Sequence, residues 1–276
     1  MNLIVQGPAM TAAQALELAR LGGSSSVAQI TPRAWRIRKA APSDDIAPYC
    51  ENAQVDFAFM PEGRRFADLR LLALDMDSTL ITIECIDELG DIAGCRSEIA
   101  SITAQAMRGE LDYPQSLRKR VSLLKGLSES ALTRVYEERL RLTPGAEQLV
   151  AACKKNGVKL LLVSGGFTFF TERLRQRLGV DYTISNVLAT RDGRLTGELE
   201  GAIVDAGAKA TKFTAVATQL GAERAATLAI GDGANDLEMM ALAGTSIAFH
   251  AKPVVREHAT CAINWGGLDA VLNLFE

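Results

Sequence analysis

The segment Leu71–Leu80, LLALDMDSTL, constrains the fold of this chain more than any other stretch. A short apolar run bounded by polar residues reads as a buried strand of a parallel sheet covered on both faces. The run stops abruptly at Asp75 and Asp77, one residue apart, with Ser78 and Thr79 directly after them. In an open α/β sheet, the carboxyl end of a strand is where ligand crevices form. Two like charges at this spacing repel each other and are costly to desolvate. Such a pair calls for a divalent cation, a shared proton or a reacting group. Taken alone, the same aspartates would serve equally well as caps of a following helix. The rest of the chain decides between these readings.

Residues 1–66 read as a small unit of their own. Strands are expected at Asn2–Gln6, Ser26–Ile30, Trp35–Ile37 and Val55–Met60, with helices at Thr11–Leu21 and Asp44–Glu51. The order βαββαβ fits a ferredoxin-like α+β sandwich, with Pro61–Arg65 as its linker. After the 71–75 strand, residues 84–141 carry helical periodicity at Cys85–Ala93, Glu98–Met107, Pro114–Leu124 and Glu129–Leu140. Strand and helix signals then alternate: helix Gly145–Lys155, strand Val158–Val163, helix Thr168–Leu178, helix Lys209–Leu220, strand Thr227–Ile230, helix Leu237–Ala243 and strand Ser246–Phe249. A hairpin at Val187–Glu198 turns at Asp192-Gly193. Such alternation predicts an α/β, Rossmann-like parallel sheet with helices on both faces. Residues 67–83 and 142–276 form its core, and the helical segment 84–141, inserted after the first strand, lies over the sheet edge as a cap.

Three further polar clusters follow apolar strands or open helices. After Val158–Val163, Ser164-Gly165-Gly166 offers backbone N–H groups to an anion. After Thr227–Ile230, Gly231-Asp232-Gly233-Ala234-Asn235-Asp236 offers carboxylates and an amide suited to a hard cation such as Mg²⁺. Lys209 opens a helix after Ala206-Gly207-Ala208. Each alone is explained by an ordinary turn, cap or surface lysine. Parallel strands, however, present their carboxyl ends on one edge, so Asp75, Asp77, Ser164, Lys209 and Asp232 can converge. Carboxylates, amides, a hydroxyl and a lysine together fit phosphoryl transfer, which demands mainly positioning and electrostatic stabilisation.

DMDST at 75–79, Ser164-Gly165, Lys209 and GDGAND at 231–236 resemble the four motifs of the haloacid dehalogenase superfamily of phosphohydrolases. Within it, the cap stretches Ala106–Gly109 and Ser116–Val121 resemble those of the phosphoserine phosphatase family, and the likeness runs from about Leu71 to Phe275. That resemblance implies hydrolysis of O-phospho-L-serine, the last step of serine biosynthesis, with Mg²⁺ as cofactor. Asp75 would be the nucleophile that forms an aspartyl-phosphate, and Asp77 the acid and then the base. Mg²⁺ would be held by Asp75, the backbone carbonyl of Asp77, and Asp232. Ser164, Gly165 and Lys209 would hold the phosphoryl oxygens, with Asn235 ordering that side and Asp236 nearby. Glu84 would meet the substrate ammonium, Arg120 its carboxylate, and Met107 and Tyr113 would close over the site. Position 113 departs from the family, which is expected to carry Phe there. A zwitterionic ester needs one anion and one cation at the end far from phosphate, and the forked guanidinium of Arg suits a carboxylate. A phosphatase of the same superfamily acting on another phosphorylated amino acid or small metabolite is the alternative. The βαββαβ unit resembles an ACT-type module, which implies amino-acid binding or a homodimer.

Bulk composition excludes other classes. The net charge of −3 gives no general reason to bind nucleic acid or anionic membranes. Arg118-Lys119-Arg120 and Arg173–Arg177 lie in helix-like stretches, the latter as a solvated face. Five scattered cysteines without CxxC spacing point to neither zinc nor a disulfide framework. The first ten residues lack a secretory signal pattern and no apolar run is long enough to span a membrane, so a cytoplasmic protein is expected. His250 and His258 belong to no motif.

Overall fold

The computed structural model describes residues 1–276. It opens with β1 (Asn2–Gln6), α1 (Ala12–Leu21), β2 (Ser26–Thr31), β3 (Ala34–Arg38), α2 (Ile46–Ala53) and β4 (Asp56–Met60). These four strands form an antiparallel sheet in the order β2-β3-β1-β4. Helix α1 starts where it does because Thr11 and Gln14 cap each other's backbone reciprocally. One sheet face, with Leu3, Val5, Trp35 and Ile37, packs beneath the two helices in a cluster of its own. The opposite face does not stay in water. Ile4, Ala58 and Met60 join the main hydrophobic core of the rest of the chain.

The second sheet contains β5 (Leu71–Asp75), β6 (Lys159–Phe167), β7 (Tyr182–Arg191), β8 (Arg194–Glu200), β9 (Thr227–Gly231), β10 (Thr245–Phe249) and β11 (Cys261–Ile263). Its order is β11-β10-β9-β5-β6-β7-β8, and every neighbouring pair is parallel except the β7–β8 hairpin. This is the Rossmann-type, mostly parallel sheet expected from the alternating pattern. β5 sits at its centre and is buried at all five positions. Its alternate residues enter two different clusters: Leu72 and Leu74 point to one face, Leu71 and Ala73 to the other. That is the period of two of a strand covered on both sides.

Between β5 and β6 the chain forms α3 (Cys85–Ala93), α4 (Arg96–Met107), α5 (Tyr113–Ser122), α6 (Ser130–Arg134) and α7 (Ala146–Asn156). Helix α5 begins at a capping box between Asp112 and Gln115, with Pro114 in its first turn. The stretch expected as one helix over Glu129–Leu140 is helical throughout 130–139, α6 continuing without a break into a wider-wound turn at Val135–Arg139. The two segments that carry the chain out to these helices and back run side by side. Thr82 N–H donates to Arg141 O at 3.0 Å, and Thr143 N–H to Leu80 O at 3.0 Å.

Downstream lie α8 (Thr168–Leu178), α9 (Ala206–Gln219), α10 (Leu237–Leu242) and α11 (Pro253–His258). Helix α11 and β11 had no clear signal, because each is too short to show periodicity. The first half of β7, which pairs with β6, also lay outside the expected hairpin. No helix is long and apolar enough to cross a membrane.

The N-terminal sheet is tied to the C-terminal segment by a buried carboxylate. Asp56, 3% exposed, accepts the backbone N–H groups of Asn264 at 2.6 Å, Trp265 at 3.2 Å and Gly266 at 3.1 Å. Asn273 Nδ2 donates to Gln6 Oε1 at 2.8 Å alongside, and Phe66 packs edge-on against Phe275. Asp56→Asn would turn one acceptor into a donor facing three donors. The expected loss in urea denaturation is about 2–4 kcal/mol. A loss below about 0.5 kcal/mol would mean that this clasp does not hold the two sheets together.

Candidate active site

Strands β6, β5 and β9 are adjacent and parallel, so their carboxyl ends meet at one edge. Asp75 ends β5, in register with Val163, and Ser164 follows on β6. Asp232 follows Gly231 at the end of β9. Lys209 arrives from the first turn of α9, whose start is fixed by Asp205 accepting the Ala208 N–H at 2.9 Å.

Lys209 is fully buried, and its Nζ donates to Asp75 Oδ1 and to Asp236 Oδ1, each at 2.7 Å. Burial opposes its charge, but the Asp236 and Asp75 carboxylates outweigh that and hold its pKa above the ordinary value. It is therefore an ammonium at every physiological pH. Burial pushes the Asp75 carboxyl well up, helped by Asp236 and opposed by Lys209. Asp236 has both oxygens engaged, the second accepting the Gly233 N–H at 3.2 Å.

Asp77 faces another way. Its Oδ1 accepts the Cys85 N–H at 2.8 Å and its Oδ2 the Ser164 hydroxyl at 3.3 Å. Burial raises its pKa in spite of these donors. Ser78 takes a left-handed conformation (φ +56°) that turns the chain out of β5. Its hydroxyl donates to Glu84 Oε1 at 2.6 Å. The Cys85 thiol is pushed far up by burial and then by Asp77, so it is no thiolate.

β6 does not stop at Val163 as expected. It stays extended to Phe167, while its ladder to β7 breaks between those two residues. The break frees Ser164-Gly165-Gly166 to line the site. A Cβ on Gly166 would meet Asp77 Oδ2 at 2.6 Å, and one on Gly165 would collide with the Tyr113 hydroxyl. Only glycine lets that strand pass so close to the acid and the overlying aromatic.

Helices α3, α4 and α5 roof a cavity of about 650 Å³ lined by Asp75, Asp77, Glu84, Met107, Tyr113, Arg120, Gly165, Asp232 and Asn235. Ser164 and Lys209 lie just beneath, bonded to Asp77 and Asp75. The sites singled out from the sequence therefore meet in one place. Tyr113, where Phe was expected, donates its hydroxyl to Gly165 O at 3.3 Å and so bridges roof and floor. Burial lifts this phenol to about 12 and keeps it protonated. The Arg120 Nε and the Ser116 hydroxyl are buried without a hydrogen-bond partner. Both line the same cavity, where a ligand can satisfy them. Burial, with Asp77 next, pushes Glu84 up to about 7.

Asp75, Asp232 and Asp236 bring carboxylate oxygens within 4.8 Å of one another. Burial and Asp236 push Asp232 up to about 6. Three crowded carboxylates that share the single ammonium of Lys209 keep a surplus of negative charge, which a small divalent cation relieves. The Asp77 carboxylate is not in this group, being held by Cys85 and Ser164. Sequence reasoning passed over Thr79, whose hydroxyl donates to Asp232 Oδ1 at 3.1 Å, although it lies inside the DMDST motif. It also passed over the lining residues Asp87, Glu238 and Lys252, which no local pattern marks, and gave Ser116 no role although it opens the cap stretch Ser116–Val121. His250 lies away from the site, its Nε2 2.8 Å from Gly266 O, and Arg173 stacks on Phe169 at the surface.

The sequence model of the haloacid dehalogenase-like hydrolases matches residues 72–241, and that of a domain of unknown function matches residues 3–46. The chain is 56% identical over 215 residues to a phosphoserine phosphatase of Polaromonas sp., covering 76% of this chain and 91% of that one. The unliganded crystal structure of a probable phosphoserine phosphatase from Vibrio cholerae superposes with a TM-score of 0.87 at 37% identity, covering 99% of this chain and 86% of that one. A substrate-bound phosphoserine phosphatase complex superposes with a TM-score of 0.71 at 39% identity, covering 75% of this chain and 99% of that one. The chain belongs to the haloacid dehalogenase-like hydrolases, and within them to the phosphoserine phosphatase family.

The raised Asp232 carboxyl makes a stability prediction. The native state binds this proton more tightly than the unfolded chain, so metal-free stability falls as pH rises from 3.8 to about 6. Asp232→Asn removes that penalty. In chelator, the melting temperature of the variant relative to the parent should rise across this window. A difference independent of pH would contradict the assignment.

Proposed function

We propose that the chain is a Mg²⁺-dependent phosphatase that hydrolyses O-phospho-L-serine to L-serine and phosphate through Asp75. The observation that carries this reading is one cavity lined both by Asp75, braced by Lys209, and by Glu84 with Arg120, whose Nε is buried without a partner. Its carboxylates and its guanidinium match the charged groups of the substrate. Arg120 takes the carboxylate, Glu84 the ammonium, and the Ser164–Gly165 stretch with Lys209 the phosphoryl oxygens. Met107, 67% exposed, and Tyr113 close the roof over them. Asn235 orders the phosphoryl side.

An oxygen of the Asp75 carboxylate attacks phosphorus, and the bond from phosphorus to the serine oxygen breaks. Asp77 gives its proton to that departing oxygen, and the phosphoryl group remains on Asp75. Asp77, now a carboxylate, takes a proton from water as the water oxygen attacks phosphorus. The bond to Asp75 then breaks and phosphate leaves. Lys209 stays charged throughout and balances the carboxylates around it. Asp75, Asp232 and the Asp77 carbonyl would hold Mg²⁺, which supplies positive charge opposite the phosphoryl oxygens when bound. The roof keeps bulk water from the reaction.

The residue division 67–83 with 142–276 as catalytic core, 84–141 as cap and 1–66 as an ACT-like module is part of this reading, as is a cytoplasmic setting. The test is phosphate release from a panel of monoesters, with and without chelator. Asp75→Asn should lower release from phosphoserine by at least about 10³-fold, and a variant that retains activity would overturn the assignment. Arg120→Ala should lower kcat/KM on phosphoserine by about 10²–10³-fold and change it little on an aryl phosphate, whereas equal losses would exclude amino-acid recognition. Because Glu84 ionises near 7 and only its charged form attracts the ammonium, kcat/KM on phosphoserine should fall as pH drops through that value. Glu84→Gln should erase this limb, which the aryl phosphate should lack from the start.

A further inference from the structure

The walls of the active-site cavity carry seven carboxylate side chains and only two cationic ones, Arg120 and Lys252. Lys209 lies beneath the wall, buried and committed to Asp75 and Asp236. Even with Lys209 and a divalent cation counted, the formal charge around the cavity stays negative. A phosphomonoester arriving as a dianion meets repulsion along most of this surface. Arg120 offsets it at the cap end, where the reading above places the substrate carboxylate. Lys252 is the one free cation contributed by the core.

Its position is built. Lys252 directly precedes α11, and its backbone N–H donates to the Asp232 carbonyl at 3.3 Å. This bond fixes the root of the side chain beside the acidic loop after β9. The ammonium is exposed and forms no ion pair within 4 Å, yet it acts on the Asp232 carboxylate through space. It is thus an exposed, uncommitted charge beside the acidic loop at the rim.

We infer that Lys252 draws the phosphoryl end of the substrate into the cavity and retains product phosphate, without taking part in bond making. This rests on the phosphatase reading above. Lys252→Met should lower kcat/KM on phosphoserine about 5- to 10-fold at low ionic strength. The deficit should shrink toward parity at about 0.5 M salt. kcat should stay within about twofold, and Lys252→Arg should restore most of the loss. Calorimetry with inorganic phosphate in the presence of Mg²⁺ should show the same ordering of affinities, whether or not phosphoserine is the substrate. Lys252→Gln, matched to the parent in melting temperature, guards against misfolding as the cause. Equal phosphate affinity in parent, Met and Gln variants would overturn the inference. So would a kcat/KM deficit that salt leaves unchanged and Arg does not rescue.

Discussion

The buried ammonium of Lys209, held between Asp75 and Asp236, is the interaction on which the rest of the site depends. A lysine with no exposed surface is tolerable only where carboxylates surround it. In turn, those carboxylates can gather at the strand ends only because the lysine is there. The pair fixes where α9 docks against β5 and where the loop after β9 folds back. It also sets the orientation of the Asp75 carboxylate that is read as the nucleophile.

Around that centre, two acids one residue apart acquire different partners. Asp75 looks toward Lys209 and the Asp232 and Asp236 carboxylates, while Asp77 is pinned by the Cys85 amide and the Ser164 hydroxyl. Burial raises both carboxyls; Lys209 opposes the rise at Asp75, and the Cys85 amide and Ser164 hydroxyl oppose it at Asp77. The left-handed turn at Ser78 makes this possible by reversing the chain between β5 and α3. The same turn delivers Glu84 to the mouth of the cavity. One short motif therefore places both the strand-end acids and Glu84 on the same cavity.

The N-terminal unit is less independent than its separate sheet implies. Ile4, Ala58 and Met60 belong to the main core, and Asp56 clasps three backbone amides of the C-terminal segment. The face of this sheet that a free module would expose is already covered. The unit meets the rest of the chain through the 264–276 segment that it grips and through Arg64, whose Nη2 donates to Ala225 O at 2.8 Å just before β9.

Much of this was legible from the chain alone. The β5 strand, the alternation that follows it and the insertion of helices between β5 and β6 are periodic signals of local origin. The motifs Asp75–Thr79, Ser164–Gly166 and Gly231–Asp236 announce themselves because each interrupts an apolar run with groups that are costly to bury. What the sequence could not decide is where these groups point. The extension of β6 through Gly166, the engagement of Asp236 by Lys209, the turning of Asp77 away from the carboxylate cluster, and the docking of Asp56 all join residues far apart in the chain. So does the placement of Lys252 at the rim. Local propensity determines that a strand ends in acids, but distance and burial, which exist only in the folded chain, determine what each acid can do.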